Sequence, residues 1–355
     1  MALLTYDDAS AWSESIREVV QERRMPPWFA DPHVGKFAND RSLSDDERDT
    51  LLAWIDQGCP QGDPRELPPP REFVPGWSIG KPDMVFTVKE KDEFEVPAVA
   101  PKNGIEYQYF EVETNFTEDR WIERAEAKEG APSVVHHIIV FIVSPDRKFI
   151  PKQGNAPVLC GTAPGDMPLI LPPGIGKKIP AGSKLVLQMH YTPNGTSYQD
   201  RSSVGVIFAK EPPPLQVSTA AVMNPQFRIP PGADSYEVQS AFTLREDGRI
   251  ISFMPHMHLR GKDFLYEAIY PDGRKETLLS VPRYDFNWQS VYRCATPVAL
   301  PKGTKIHCVA HFDNSAKNLN NPDPSQTVRW GDQTWEEMMI GWTDLVFDKK
   351  PQKSE

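Results

Sequence analysis

The chain has 355 residues, a formal net charge of −10 at pH 7 and a pI near 5.4. That acidic balance argues against a nucleic-acid surface, which needs concentrated Lys and Arg, and the length exceeds what one small core fills. The 36 prolines, spread in PP, PPP and P-x-G clusters, argue for short strands and against long helices, and the absence of any run of about 18 apolar residues predicts no membrane span.

The N-terminus, MALLTYDDASAW, carries neither a charged leader nor an apolar signal core, so the protein is cytosolic or the chain begins after an export signal. Apolar residues at helical spacing (Trp12, Ile16, Val19, Val20) predict a helix over Ala11–Arg24. The segment RRMPPWFADPH then runs into a loop. A second helix is predicted over Ser44–Gly58, with Ser44 as N-cap, Glu47 three residues on, and Gly58 as the stop. The helical pattern ends after the Pro-rich stretch that starts at Leu67.

From about Gly76 the chain reads as β structure. VVHHIIVFIV, KLVLQMHY, GRIISFMPHMH and KIHCVAHF are β-branched and aromatic runs bounded by Pro, Gly and Asp turns. Short strands at this spacing indicate sandwiches or jelly rolls. EPPPL (Glu211–Leu215) is the best internal boundary, because three prolines cannot continue a central strand. The expected division is a helical segment and linker over 1–75 and β domains over 76–211 and 212–355.

The two β halves read as copies. IPAGSKLVLQMHY (Ile179–Tyr191) and LPKGTKIHCVAHF (Leu300–Phe312) align without a gap at an offset of 121. The same offset carries His137 onto His258 and His136 onto Met257, one position from His256. Two motifs at nearly one offset point to duplication.

Four of the 8 histidines stand in two tight pairs, His136–His137 in VVHHII and His256-x-His258 in FMPHMHLRGK. A lone histidine in an apolar strand is usually a hydrogen-bonded core residue. In H-x-H, however, both imidazoles leave one face of the strand, forming half of a metal site. Adjacent histidines reach one ion only where the strand bulges or ends. Imidazoles with nearby methionine, and no H-E-x-x-H, favour copper over hydrolytic zinc. The four cysteines (59, 160, 294, 308) include no C-x-x-C. Cys294 and Cys308 flank LPKG (Leu300–Gly303); if that is a hairpin turn they face each other, and a bridge there contributes roughly 3 kcal/mol. Two free thiols fit as well.

VVHHIIVF, LVLQMHY, PHMHLRGK and QTWEEMM stand in an order and spacing that resembles the copper type II, ascorbate-dependent monooxygenases. That family includes the peptidylglycine α-hydroxylating and dopamine β-monooxygenases. The resemblance covers about residues 76–355. It implies a mainly β fold of two jelly-roll β-sandwich domains, preceded here by the small α-helical segment, with one copper in each domain. His136, His137 and His190 would hold the electron-transfer copper, and His256, His258 and Met338 the oxygen-activating copper. Gln188 would face the cleft beside the first site. The duplication instead offers His311 as the third ligand of the second site; Met338 is preferred, with the adjacent Met339 as fallback, because a thioether favours Cu(I). Met254, Ile340 and Trp342 stand where the peptide-processing enzyme carries substrate-binding polar groups, so Met254 and Trp342 predict an apolar substrate slot. Met339 replaces the family cysteine, which leaves Cys294 as the partner of Cys308.

RRMPPW followed by SLSDDERDTLLAWIDQGCP resembles the second half of a class I cytochrome c domain, with Met25 at the place of the axial haem ligand. The attachment motif C-x-x-C-H is absent, so haem is not expected in this chain, and Met25 and His33 read as structural. The expectation is an enzyme that hydroxylates an unactivated C–H bond with O2, two copper ions, and electrons from ascorbate or a haem protein. Its partners would be a small apolar substrate and a cytochrome donor, and its location periplasmic or extracellular in a bacterium. The alternative is a non-catalytic copper-binding or copper-sensing β protein with the same ligands.

Overall fold

The N-terminal helices form where capping and apolar spacing coincide. In the computed structural model, which describes residues 3–69, 76–101, 104–150, 156–163 and 168–348, they are α1 (Tyr6–Ala11), α2 (Ser13–Gln21) and α3 (Asp45–Asp56). The single helix expected over Ala11–Arg24 is thus two. A capping box between Thr5 and Asp8 starts α1 early, and the chain breaks at Trp12, which is exposed rather than packed. The capping box expected at α3 is present: Ser44 Oγ accepts from the Glu47 N–H, and the Glu47 carboxylate accepts from the Ser44 N–H at 2.8 Å. Ile16 and Val20 of α2 pack on Ile55 and Cys59, flanked by Leu51 and Trp54. Each fully buried side chain of this kind contributes roughly 1.5–3 kcal/mol. This compact unit comprises Met1–Phe29 and Asn39–Val74.

The second unit is Ala30–Ala38 with Pro75–Glu355. Its first half contains β1 (Met84–Thr87), β2 (Phe94–Val96), β3 (Gln108–Glu113), β4 (Arg120–Lys128), β5 (Val135–Val143), β6 (Val158–Thr162), β7 (Leu169–Ile170), β8 (Ile175–Ile179), β9 (Lys184–Tyr191), β10 (Tyr198–Asp200) and β11 (Ser203–Phe208). Its second half contains β12 (Leu215–Met223), β13 (Arg228–Ile229), β14 (Tyr236–Thr243), β15 (Gly248–His256), β16 (Gly261–Ile269), β17 (Lys275–Val281), β18 (Tyr292–Leu300), β19 (Lys305–Phe312), β20 (Val328–Arg329) and β21 (Ile340–Asp348). The fold is mainly β, with jelly-roll sandwiches and few helices, as the strand spacing predicts.

The strand orders show the duplication directly. In the first half β1-β11-β4-β8 faces β3-β9-β5-β6; in the second, β12-β21-β15-β18 and β14-β19-β16-β17 repeat that arrangement strand for strand. The short pairs β2–β10 and β13–β20 lie outside these sheets. The chain does not separate the halves at EPPPL. β12, which begins at Leu215 directly after the prolines, pairs in parallel with β8, so one sheet runs through both halves among the described residues. The expected boundary at 75/76 falls at the edge of 70–75, outside the described residues.

Alternation divides β5 and β9 cleanly. Ile138, Val140, Leu185 and Leu187 enter the core against Ile122, Val204 and Val206 of the larger sheet. Phe141, Val143 and Val186, which take the opposite parity, form a separate cluster on the outer face. His137, Gln188 and His190 share the parity of that outer face.

Two expectations are corrected by this topology. β9 and β19 have corresponding bounds at the offset of 121, but that offset does not relate the histidine pairs. His137 lies in β5, opposite His190, whereas the equivalent place in β16, opposite His311, is Asp263. His256 instead ends β15, a strand of the other sheet, because the turn between β15 and β16 differs in length from its counterpart. LPKG is also not a hairpin: β18 pairs with β15, and β19 pairs with β14 and β16. Cys294 and Cys308 therefore sit in different sheets, and none of the four cysteines forms a disulfide. Cys308 packs where a Cβ added at Gly341 would come within 2.6 Å of its Sγ.

Candidate metal centre

Bulging of β5 brings adjacent histidines to one point. The β5–β9 register shifts between Val135 and His137, so His136 is the extra residue and turns toward the same side as His137. His137 and His190 face each other across the strands, with ring centroids 4.9 Å apart. Ligand atoms of His136, His137 and His190 all lie within 4.8 Å of one another, and the Nδ1 atoms of His136 and His137 are 3.3 Å apart. Two nitrogens each about 2.0–2.1 Å from one ion at a near-tetrahedral angle are separated by roughly that distance. Tyr107 presents its ring edgewise to both His137 and His190.

The electrostatics suit an ion rather than a structural role. Burial lowers the pKa of His136; burial and then the neighbouring imidazoles push His137 well below the usual histidine range and His190 down to about 3. All three are therefore neutral at physiological pH, with lone pairs available to an ion. His190 Nδ1 is buried with no hydrogen-bond partner among the described residues. A buried polar atom without a partner costs about 1–3 kcal/mol, which a structural histidine normally avoids.

His256 and His258 form a second cluster, with rings 5.2 Å apart. The His256 Nδ1–H donates to Gln289 Oε1 at 2.6 Å, and the His258 Nδ1–H donates to the Glu336 carbonyl at 3.2 Å. These assignments, made from the surrounding acceptors, leave both Nε2 atoms for an ion. Burial lowers both pKa values, that of His256 to about 4. Glu337 fixes the segment: its carboxylate accepts from the His258 N–H at 2.8 Å and the Arg260 N–H at 2.6 Å. Burial nevertheless pushes the Glu337 carboxyl up to about 8, against the pull of those N–H groups and of Arg260.

Phe286 stands between the clusters. It stacks on His136 at 5.1 Å and 14°, and meets His258 edge-on at 5.8 Å. A cavity of about 1200 Å³ adjoins both clusters, with His137, Gln188, Met254, His256, Met338 and Trp342 in its wall. Met339, by contrast, is fully buried outside that wall. Gln188 donates from Nε2 to the Tyr109 hydroxyl at 2.9 Å. His311 is not brought to the second cluster. Its Nδ1 faces Asp263 at 2.6 Å and its Nε2 faces Glu237 at 3.6 Å, on its own sheet.

Sequence reasoning finds the histidines through their pairing. It misses Tyr107, Phe286, Gln289 and Glu337, whose contacts are long-range and leave no periodic signal. Met25 is exposed, and the His33 N–H donates to Asp31.

No protein-family model matches the chain, and no curated protein matches it. Solved structures it resembles include the STIV MCP, with 9% identity, a TM-score of 0.34, and coverage of 74% of this chain and 96% of that one. The major capsid protein P2 from bacteriophage PM2 shares 9% identity at a TM-score of 0.32, over 76% and 98% of the two chains. An allantoicase structure matches at 10% identity and a TM-score of 0.19, over 62% of this chain and 79% of that one. The jelly-roll assignment stands on the sheets described above. The expected membership of the copper type II monooxygenases is corrected: no family model and no curated protein supports it, and the similar structures named above are not monooxygenases. With it go the C–H hydroxylase activity, the oxidoreductase and ascorbate class, the copper-binding or copper-sensing alternative, and the cytochrome c likeness of the first 65 residues. No helix among the described residues is long and apolar enough to cross a membrane. The chain is a mainly β protein of jelly-roll architecture, with five of its eight histidines in two clusters beside one cavity.

Proposed function

We propose that this protein binds a first-row transition-metal ion through His136, His137 and His190, and a second through His256 and His258 with Met338. The observation that carries the reading is the convergence of three neutral imidazoles within 4.8 Å, two of them buried and His136 half-buried, with an orphaned Nδ1 on His190. Imidazole donors suit zinc, copper, nickel and iron alike. When bound, such an ion supplies Lewis acidity and, for copper, a one-electron couple. The protein's part is to hold the tautomers, through Gln289 and the Glu336 carbonyl at the second cluster, and to exclude water around the first with Tyr107 and Phe286.

The test is equilibrium dialysis of metal-stripped full-length protein against Cu(II), Cu(I) and Zn(II), followed by elemental analysis. Two ions per chain are expected, one removed by His190→Ala and the other by His256→Ala. Retention of a full complement by His190→Ala, or no binding by the wild type, would overturn the reading. Nitrogen hyperfine structure in the Cu(II) spectrum checks the imidazole donors independently.

A further inference from the structure

The cavity has an ordered wall. Three strands of the continuous sheet present one face to it, and their registers align the side chains in rows. Thr219, Asp344 and Ser252 are cross-strand partners, then Ala221, Trp342 and Met254, then Met223, Ile340 and His256. All nine line the cavity. The first row is polar, the second apolar, and the third ends at the second histidine cluster. Four residues of strand separate the first row from the third, roughly 13 Å.

Beyond the polar row Val217 and Val346 pack with Ile251, Leu171 and Ile175 in an apolar cluster. Beside that cluster Lys177 of β8 reaches across to the polar row. Its ammonium donates to the Leu159 carbonyl and to Thr219 Oγ1, both at 3.0 Å, and stands 3.9 Å from Asp344 Oδ1. Thr219 donates to Asp344 Oδ1 at 2.6 Å and Ser252 donates to Oδ2 at 2.9 Å. This end of the cavity therefore holds one cation and one carboxylate in mutual compensation. Of the three ammonium protons, two are committed at short range and the third has only the long contact to Asp344. Each Asp344 oxygen keeps a second lone pair.

We propose that this cavity binds an uncharged, unbranched aliphatic alcohol, with its hydroxyl between Lys177 and Asp344 and its chain running past Trp342 and Met254 toward Met338. A hydroxyl both accepts and donates, so it satisfies the ammonium proton and the carboxylate lone pair together. A ligand carboxylate meets Asp344 and a ligand ammonium meets Lys177, and either leaves a net charge in a low-dielectric end. The apolar rows receive the chain, and their span matches an extended chain of about ten carbons. The proposal does not depend on a bound metal.

The probes are 1-decanol, decanoate and decylammonium, titrated calorimetrically into the metal-stripped full-length protein below their aggregation limits. Decanol should bind saturably, and both charged analogues about tenfold or more weakly. Asp344→Asn leaves Lys177 uncompensated and should shift the preference toward decanoate. Absence of saturable decanol binding, or a charged analogue that binds the wild type equally well, overturns the proposal. So does an Asp344→Asn protein that folds and keeps the original ranking. Should that variant fail to fold, the wild-type ranking alone decides.

Discussion

Replacing His190 by leucine should stabilise the metal-free protein and strip it of most of the stability that a bound ion adds. In the metal-free chain the substitution removes a buried Nδ1 that has no partner, worth about 1–3 kcal/mol of stability at pH 7. The gain should grow in acid. The His190 pKa falls from 6.5 to about 3 on folding, so between those values the unfolded chain binds a proton that the folded chain refuses. Stability from neutral His190 is thus fully present above the unfolded pKa and is lost as pH falls toward the folded one. At pH 5 the penalty is roughly 2 kcal/mol, which leucine abolishes. With metal most of that gain at pH 7 is offset. An ion at a hundred times its Kd adds about 2.7 kcal/mol; if loss of one of three ligands weakens binding about a hundredfold, about 0.4 kcal/mol remains at the same concentration. The assay is urea unfolding at pH 7 and pH 5, with and without Cu(II), followed by circular dichroism and tryptophan fluorescence. A metal-free His190→Leu protein less stable than wild type at pH 7, with its metal increment intact, would show that His190 is an ordinary core residue.

Other substitutions separate the remaining roles. Met338→Leu should weaken ion binding at the second cluster, whereas Met339→Leu, fully buried and outside the cavity wall, should cost less than about 1.5 kcal/mol and leave metal content unchanged; elemental analysis of both variants distinguishes them. His311→Ala should retain both ions and lose at most about 1 kcal/mol, since its partners Asp263 and Glu237 are partly exposed. An emptied second site in that variant would return His311 to the ligand set. Gly341→Ala should destabilise by about 1–3 kcal/mol in thermal unfolding, because the new Cβ would meet Cys308 Sγ at 2.6 Å and the Tyr266 ring at 3.0 Å.

The sheets were legible because β-branched runs and Pro/Gly turns report local backbone preference. The repeat of Ile179–Tyr191 at Leu300–Phe312 was legible because turn and strand together keep their length. The histidine pairs misled because the same offset crosses a turn of unequal length, and a one-dimensional alignment cannot register which sheet a strand joins. The bulge at His136 was foreseeable as one of two routes, since adjacent imidazoles converge only where a strand bulges or ends. What could not be read was the placement of Phe286 against His136 and His258, which comes from a segment between β17 and β18 whose sequence, RYDFNWQS, carries no spacing signal. The row of Lys177, Thr219, Asp344 and Ser252 was equally hidden, since it draws single residues from four strands. Family resemblance carried the functional expectation furthest and was the part the comparisons corrected; the clustering of the ligating side chains stands apart from it.

The parallel contact of β8 with β12 has a consequence for any attempt to divide the protein. Leu215 and Gln216 pair with Ile175 and Gly176, so a cut at the Pro-rich stretch before Leu215 would strip one partner from a strand in each piece. Each fragment would then carry a raw β edge, with unpaired amides and carbonyls beside the apolar Ile175, Val217 and Val346. Such edges recruit other strands. The halves expressed apart should be sticky when alone and should recombine when mixed, each supplying the strand the other lacks.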